Sequence, residues 1–312
     1  MVDGLIELHL DTVGMEAARS IVVTKFRGSG YLTGRHPFEI TDAGITIYPR
    51  IESRRGNAAE AADSSINTAA AFGIPSLDAM LGGGLRPATT TMVRGAPGTG
   101  KTLLGLKFLE IGAAAQPREP GLYFGLRDGP TTLCRRAARV GIVLDAHVRA
   151  GLVDIVVLSP LPTIADAIAE KVLSAVKERG VKRLFIDGLC WFGESPAYPE
   201  RAGRFFVALC NELAAMGVTT VFAHETDIQG LMGRLDNIIN VGRVPRDGRV
   251  HRVISVTRAR DGAGDSLPHV VSFDTEGIRV SGPLTRGEPA AGDAFGFDPH
   301  GESSRAGEGD SP

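Results

Sequence analysis

Eight consecutive residues, Gly95-Ala96-Pro97-Gly98-Thr99-Gly100-Lys101-Thr102, fit the pattern G-x-x-x-x-G-K-[ST]. Glycines in this pattern let the backbone bend so that successive N–H groups point at a β-phosphate. Lys101 would neutralise β- and γ-phosphate charge, and Thr102 would offer its hydroxyl to Mg²⁺. The positive end of the following helix favours the same anion. The expected ligand is ATP with Mg²⁺. The bland alternative is a Gly-rich turn with an incidental Lys-Thr pair. The flanking residues argue against it, because an apolar strand enters the loop and a helix leaves it. A second acidic feature fits the same chemistry. Asp187 ends the apolar run Leu184-Phe185-Ile186-Asp187, and a carboxylate at a strand's C-terminal end can hold Mg²⁺ through water. The competing role is an Asp capping the next turn, since Gly188 follows.

Hydrolysis would also need a group that orients or deprotonates water. Asp128 follows the strand Leu122-Tyr123-Phe124, and Glu225 follows the strand that ends at Ala223. Either is a candidate base; a turn Asp before Gly129-Pro130 and a solvated strand end are the alternatives. Seven arginines against two aspartates fill residues 234–260. Three uses compete for them: a nucleic-acid surface, a solvated hairpin face, or a subunit interface. At an interface Arg258 and Arg260 would reach a neighbour's phosphates as arginine fingers. Alternating along a strand's end, the two are expected on one face. No aromatic residue is interleaved there, which argues against a single-strand stacking platform.

The elements that must position these residues follow from the pattern. Strands are expected at 90–94, 122–124, 153–158, 184–187 and 218–223. Helices are expected at 103–114, 131–140, 164–179 and 199–216, with Gly180 and Gly217 closing the last two. Continuous apolar strands separated by helices predict an α/β fold of the P-loop NTPase type. Its central sheet would be mostly parallel, with helices on both faces. After Asp236 the pattern changes to antiparallel hairpins, with Pro245-Arg246-Asp247-Gly248 as a turn. Residues 50–70 are polar and rich in Ala, Ser and Asn, a linker or loose helix. Residues 283–312 are rich in Gly, Pro and Ser and are expected to be a disordered tail.

Composition narrows the class. The 312 residues carry 34 Lys and Arg against 36 Asp and Glu. That balance gives no global drive toward nucleic acid or an anionic membrane. No uninterrupted apolar run approaches the roughly 18 residues of a membrane span, and Met1-Val2-Asp3-Gly4-Leu5 does not resemble a secretory signal. Cys134, Cys190 and Cys210 form no C-x-x-C pair and read as reduced thiols, as in a cytoplasmic protein.

Residues 1–47 repeat inside the chain. Moved forward by 233 positions, they meet the segment that starts at Asp236 without a gap. Asp3 meets Asp236, Ile6 meets Ile239, Arg19 meets Arg252, and Ile21, Val23 and Thr24 meet Ile254, Val256 and Thr257. Lys25, Arg27 and Gly44-Ile45 meet Arg258, Arg260 and Gly277-Ile278. The second copy closes the nucleotide-binding unit at residues 71–282. Residues 1–49 are therefore expected to be the closing part of an upstream copy, so that the chain begins inside a domain.

Taken together, FGIPSLDAMLGGGL with VRGAPGTGKT, then FIDGL, then VTRARDGAGDS resemble the KaiC-type branch of the RecA-like ATPases. The segment VVTKFRGSGYLTGRHPFEITDAGITIYPR resembles the closing segment and linker that follow the first domain in double-domain members. The resemblance spans residues 3–282. It implies a RecA-like fold, ATP at the interfaces of a hexameric homo-oligomer, and fingers supplied in trans by Arg258 and Arg260. Family members usually carry two adjacent Glu after the second strand, where this chain has Arg127-Asp128. Met232 and Gly233 stand where the clock proteins carry a phosphorylated Ser-Thr pair, so autophosphorylation there is not expected. The leading expectation is an Mg-dependent ATPase working at subunit interfaces. An alternative is a nucleotide-dependent signalling or assembly module with protein partners and little turnover. A DNA-binding recombinase-like ATPase is the third, disfavoured by charge.

Overall fold

The computed structural model describes residues 2–13, 16–54, 69–158, 164–188, 201–225, 232–246, 248–260, 262 and 264–284. The expected tail beyond Leu284 and most of the expected linker, residues 55–68, lie outside the described residues, as does Cys190. The main sheet has nine strands. Its parallel part comprises β5 (Thr90–Arg94), β6 (Gly121–Gly125), β7 (Val153–Val157), β8 (Arg183–Asp187) and β9 (Thr219–His224). β10 (Asn237–Arg246) joins β5 in parallel, and β11 (Arg249–Arg258), β12 (Asp265–Asp274) and β13 (Gly277–Pro283) continue antiparallel. The spatial order is β13-β12-β11-β10-β5-β9-β8-β6-β7.

Side chains alternate across each strand, so each strand feeds two cores. Tyr123, Phe185 and Val221 pack on one face with α2 (Lys101–Ala114), α3 (Pro130–Ala138) and α4 (Leu144–Arg149). Leu122, Leu184, Ile186 and Phe222 pack on the other with α5 (Ala165–Arg179) and α6 (Ala202–Ala215). Both faces are covered, as continuous apolar strands require. α5 ends where Gly180 takes the left-handed conformation at φ 60°, a backbone state that glycine adopts without strain. The short helix α1 (Pro75–Met80) and α4 escaped the sequence pattern because each spans only 6 residues. No helix among the described residues is long and apolar enough to cross a membrane. Cys134 and Cys210 are free thiols, and burial pushes the pKa of each upward.

The N-terminal residues form a separate four-stranded meander: β1 (Gly4–Val13), β2 (Glu16–Phe26), β3 (His36–Thr41) and β4 (Gly44–Ile47). It reproduces β10 to β13 register for register. Ile6 pairs with Val23 as Ile239 pairs with Val256, and both hairpins break register one step earlier, at Leu5/Ile6 and Ile238/Ile239. Phe38 faces Ile47 as Val271 faces Val280. An Asp3–Arg27 ion pair recurs as Asp236–Arg260. Surroundings separate the two copies. β10 lies against β5, and Ile239 and Val241 are wholly buried. β1 has no described strand on its other edge, and the counterparts Ile6 and Leu8 are 56% and 67% exposed.

The segment after the meander is fastened to the main domain. A 3₁₀ turn at Ile51–Ser53 inserts Ile51 into the α5/α6 core, where it is 2% exposed. The Ile51 amide donates to Asp166 at 3.0 Å. Arg201, at the start of α6, donates to both oxygens of Glu52 (2.9 and 2.7 Å) and both oxygens of Asp166 (3.1 and 3.0 Å). Arg54 pairs with Glu170. Two bidentate contacts use the planar guanidinium fork in full.

Burial pushes the Glu52 carboxyl up, but the hydrogen bonds and charge of Arg201 outweigh it, and the pKa is held below the usual range. A depressed folded-state pKa contributes stability above the unfolded value that is lost as pH falls through the folded one. Arg201→Ala strands the buried Asp166 and should cost about 3–5 kcal/mol at neutral pH. In urea unfolding, the gap between wild type and variant should be full at pH 7 and narrow below the ordinary glutamate range; a gap independent of pH would refute the Glu52 contribution.

Candidate functional site

The loop at 95–102 crosses from β5 into α2 at the C-terminal edge of the parallel strands. Its shape depends on absent side chains. The Gly95 amide donates to the His224 carbonyl at 3.1 Å, extending the ladder by one bond. A Cβ at Gly95 would lie 2.0 Å from the Val241 carbonyl oxygen, so β10 leaves no room for one. Gly100 caps α2 at φ 115°, a left-handed value, and the Phe273 ring fills the space where its side chain would go. Within the loop the Thr99 hydroxyl donates to the Ala96 carbonyl at 2.8 Å. From the hairpin side, Arg243 donates to the Gly98 carbonyl at 2.9 Å. The Lys101 ammonium folds over the loop and donates to the carbonyls of Gly95 (2.6 Å) and Ala96 (3.0 Å).

Asp187 sits beside this loop. The Thr102 hydroxyl donates to its Oδ2 at 2.8 Å, and the Tyr123 hydroxyl donates to the same oxygen at 3.1 Å. Burial pushes the Asp187 pKa upward; the bonds from Thr102 and Tyr123 and the charge of Lys101 pull it back only in part. Burial also pushes the Tyr123 phenol up, so it stays a neutral donor. A half-buried carboxylate next to a threonine hydroxyl and a lysine-bearing phosphate loop is a donor set that fits a magnesium nucleotide.

A cavity of about 850 Å³ opens over these groups. Pro97, Gly98, Gly100, Lys101, Thr102 and Asp187 line it, and so do Asp128 and Glu225. The structure therefore gathers the loop, the strand-end aspartate and both candidate bases around one space. Asp128 is not a bare carboxylate there, for Arg136 on α3 forms an ion pair with it. Arg258 and Arg260 do not line this cavity. Arg258 is exposed at the end of β11. Arg260 lies past the strand, its amide donating to the Asn237 side chain at 3.0 Å and its guanidinium paired with Asp236. The ladder stops at Arg258, so Arg260 lies beyond the end of the regular strand on which the two were expected to alternate, held there by Asn237 and Asp236.

A model of the KaiC ATPase family matches residues 1–52 and 70–285. The chain belongs to the KaiC ATPase family. It is 30% identical over 289 residues to the circadian clock oscillator protein KaiC of Parathermosynechococcus lividus, an alignment covering 89% of this chain and 51% of that protein. It is 31% identical over 303 residues to that of a Picosynechococcus species, covering 94% and 55%. Against the KaiC of Thermostichus vulcanus it is 31% identical over 228 residues, covering 73% and 40%. The chain spans about half the length of the KaiC proteins it matches.

Several residues of this KaiC-type site gave no signal in the sequence. Tyr123 looked like one more apolar strand residue. Arg136 stands 8 positions after Asp128, beyond the reach of any turn motif. Phe273 and Arg252, whose guanidinium stands 5.6 Å from the Phe273 ring centre, come from hairpins remote in sequence. Gly95→Ala tests the backbone approach. Its Cβ would push against the Val241 carbonyl, and the fold should lose about 1–3 kcal/mol or more even without nucleotide. The midpoint of denaturant unfolding reads this; an unshifted midpoint would show that β10 can retreat.

Proposed function

We propose that this chain binds Mg-ATP in the cavity above Lys101 and hydrolyses it at an interface between copies of itself. The observation that carries this reading is the convergence of Lys101, Thr102 and Asp187, with Thr102 and Asp187 joined at 2.8 Å. In this reading loop amides and the α2 N-terminus bind the β-phosphate. Lys101 leaves the Gly95 and Ala96 carbonyls for the phosphate oxygens. Thr102 and Asp187 hold the magnesium ion, which when bound neutralises charge on the phosphates. Asp128 or Glu225 orients the attacking water and takes its proton as ADP departs. Arg258 serves a neighbour's nucleotide, supported by its exposure outside its own cavity, and Arg260 joins it once released from Asp236. The assembly expected of the resemblance is a hexamer. Met232 and Gly233 offer no hydroxyl for autophosphorylation at the clock proteins' position.

The Asp128–Arg136 pair favours a second reading. A carboxylate already held by an arginine is less free to orient a water, so nucleotide would act chiefly to drive assembly and signalling to protein partners, with slow turnover. Phosphate release measured alongside mass in solution separates the two. We also read residues 1–49 as the closing part of an upstream KaiC-like repeat, followed by a linker at 50–70. The support is the shared register, shared bulge and shared ion pair of β1–β4 and β10–β13.

Lys101→Ala should remove the thermal stabilisation that Mg-ATP gives; an undiminished shift would sink the site assignment. Mixing separates cis from trans roles. Lys101→Ala protomers lack a working nucleotide site but keep Arg258, whereas Arg258→Ala protomers have the reverse defect. Each alone should be nearly inactive, and a mixture should regain part of the wild-type rate. Failure to regain any activity in mixed assemblies would exclude fingers acting between subunits.

A further inference from the structure

Asp187 has a partner that no part of the phosphate loop supplies. Tyr123 lies on β6, and in the parallel ladder Tyr123 is level with Phe185 while Gly125 is level with Asp187. Residues two apart on a strand share a face. The Tyr123 side chain therefore reaches along β6 toward Asp187, over the position of Gly125. That position must be bare, since a Cβ on Gly125 would lie 2.6 Å from the Tyr123 hydroxyl and 2.7 Å from its ring. The ring itself is fixed. It is 1% exposed and meets Phe185 edge-on, with ring centres 5.7 Å apart. The hydroxyl at its tip thus arrives at Asp187 Oδ2 from a rigid support.

Both donors, Thr102 and Tyr123, use Oδ2. Two donors fill the lone pairs of that oxygen and leave Oδ1 as the acceptor for a ligand. The terminal torsion of an aspartate has a broad energy well. One hydrogen bond, from the loop alone, would let the carboxylate turn. A second, from a neighbouring strand, stops it.

We propose that Tyr123 is a positioning residue whose hydroxyl, admitted by Gly125, fixes the orientation of Asp187 so that Asp187 and Thr102 act on the metal of a magnesium nucleotide as one unit. This rests on the magnesium-nucleotide reading above. The bland role for a buried tyrosine is to have its hydroxyl satisfied. The two roles differ in one observable: a positioning residue alters the metal dependence of binding, and a merely satisfied one does not.

The test is titration of the full chain with a fluorescent ATP analogue, once with excess Mg²⁺ and once with EDTA. Tyr123→Phe keeps the ring and removes only the hydroxyl. Its affinity in EDTA should stay within about twofold of wild type, whereas the Mg²⁺ enhancement of affinity should fall about tenfold, as for other groups that orient a metal ligand. In an Asp187→Asn background, the same substitution should cause no further loss of the enhancement. An undiminished enhancement in Tyr123→Phe overturns the proposal, as does equal weakening with and without Mg²⁺. Further loss in the Asp187→Asn background overturns it too. A wild-type protein with no Mg²⁺ enhancement at all overturns the magnesium reading itself, and this proposal with it. A wild-type enhancement that Tyr123→Phe keeps leaves that reading standing and removes only the tyrosine.

Discussion

The closeness of β10 to the start of the phosphate loop is the constraint on which the rest of the site depends. β10 runs parallel to β5 from Asn237 opposite Thr91 to Asn240 opposite Arg94. It then carries on past the end of β5, so that the Val241 carbonyl occupies the place a Gly95 side chain would need. The loop has nowhere to go but over the sheet edge and into α2. Polar bonds fix the seam: Asp236 accepts from the Thr90 amide at 2.8 Å, Asn237 donates to Thr91 at 3.0 Å, and Arg94 donates to Asn240 at 2.9 Å. Such buried polar pairs specify register, because a one-step slip would leave each donor without an acceptor. The hairpins of β10–β13 therefore help shape the candidate site, as Arg243 on Gly98 and Phe273 on Gly100 also indicate.

Features written in local spacing were legible in the sequence. The phosphate loop, Asp187 at the end of an apolar strand, the glycine-terminated helices and the repeat at an offset of 233 residues all depend on neighbours in the chain or on a constant offset. Features made by the folding of distant segments were not. The Tyr123 hydroxyl matters only because β6 and β8 are neighbours, and strand order is not visible in a row of apolar residues. The Asp128–Arg136 pair needs the turn between β6 and α3 to close. Ile51 stands in a polar stretch that reads as linker, yet its side chain is core. What places it there is Arg201, 149 residues away from Glu52, a partnership that no local pattern announces.

Two electrostatic environments in this molecule solve opposite problems. At the Arg201 cluster, one guanidinium is shared between Glu52 and Asp166, and at Glu52 its hydrogen bonds and charge outweigh the cost of burial. At Asp187 burial wins, and the carboxyl pKa is raised despite two hydrogen-bond donors. The first arrangement fastens two segments. The second lines the cavity over the loop. A carboxyl group perturbed by burial in a cavity is a physical reason to look for a ligand, whereas a cluster paired on every side is a reason to look for architecture.

The meander at β1–β4 and the hairpins at β10–β13 are one backbone design held in two settings inside a single molecule. Pairing partners and the register break of the first hairpin are common to both, while among the described residues only β10 has a further strand, β5, on its outer edge. Each residue of β1 thus has its own reference in β10, measured in the same tube at the same pH and temperature. The difference in amide exchange between Ile6 and Ile239, the latter level with Val93 of β5, reads how much protection a β-sheet draws from the strand beside it, with solution conditions held constant.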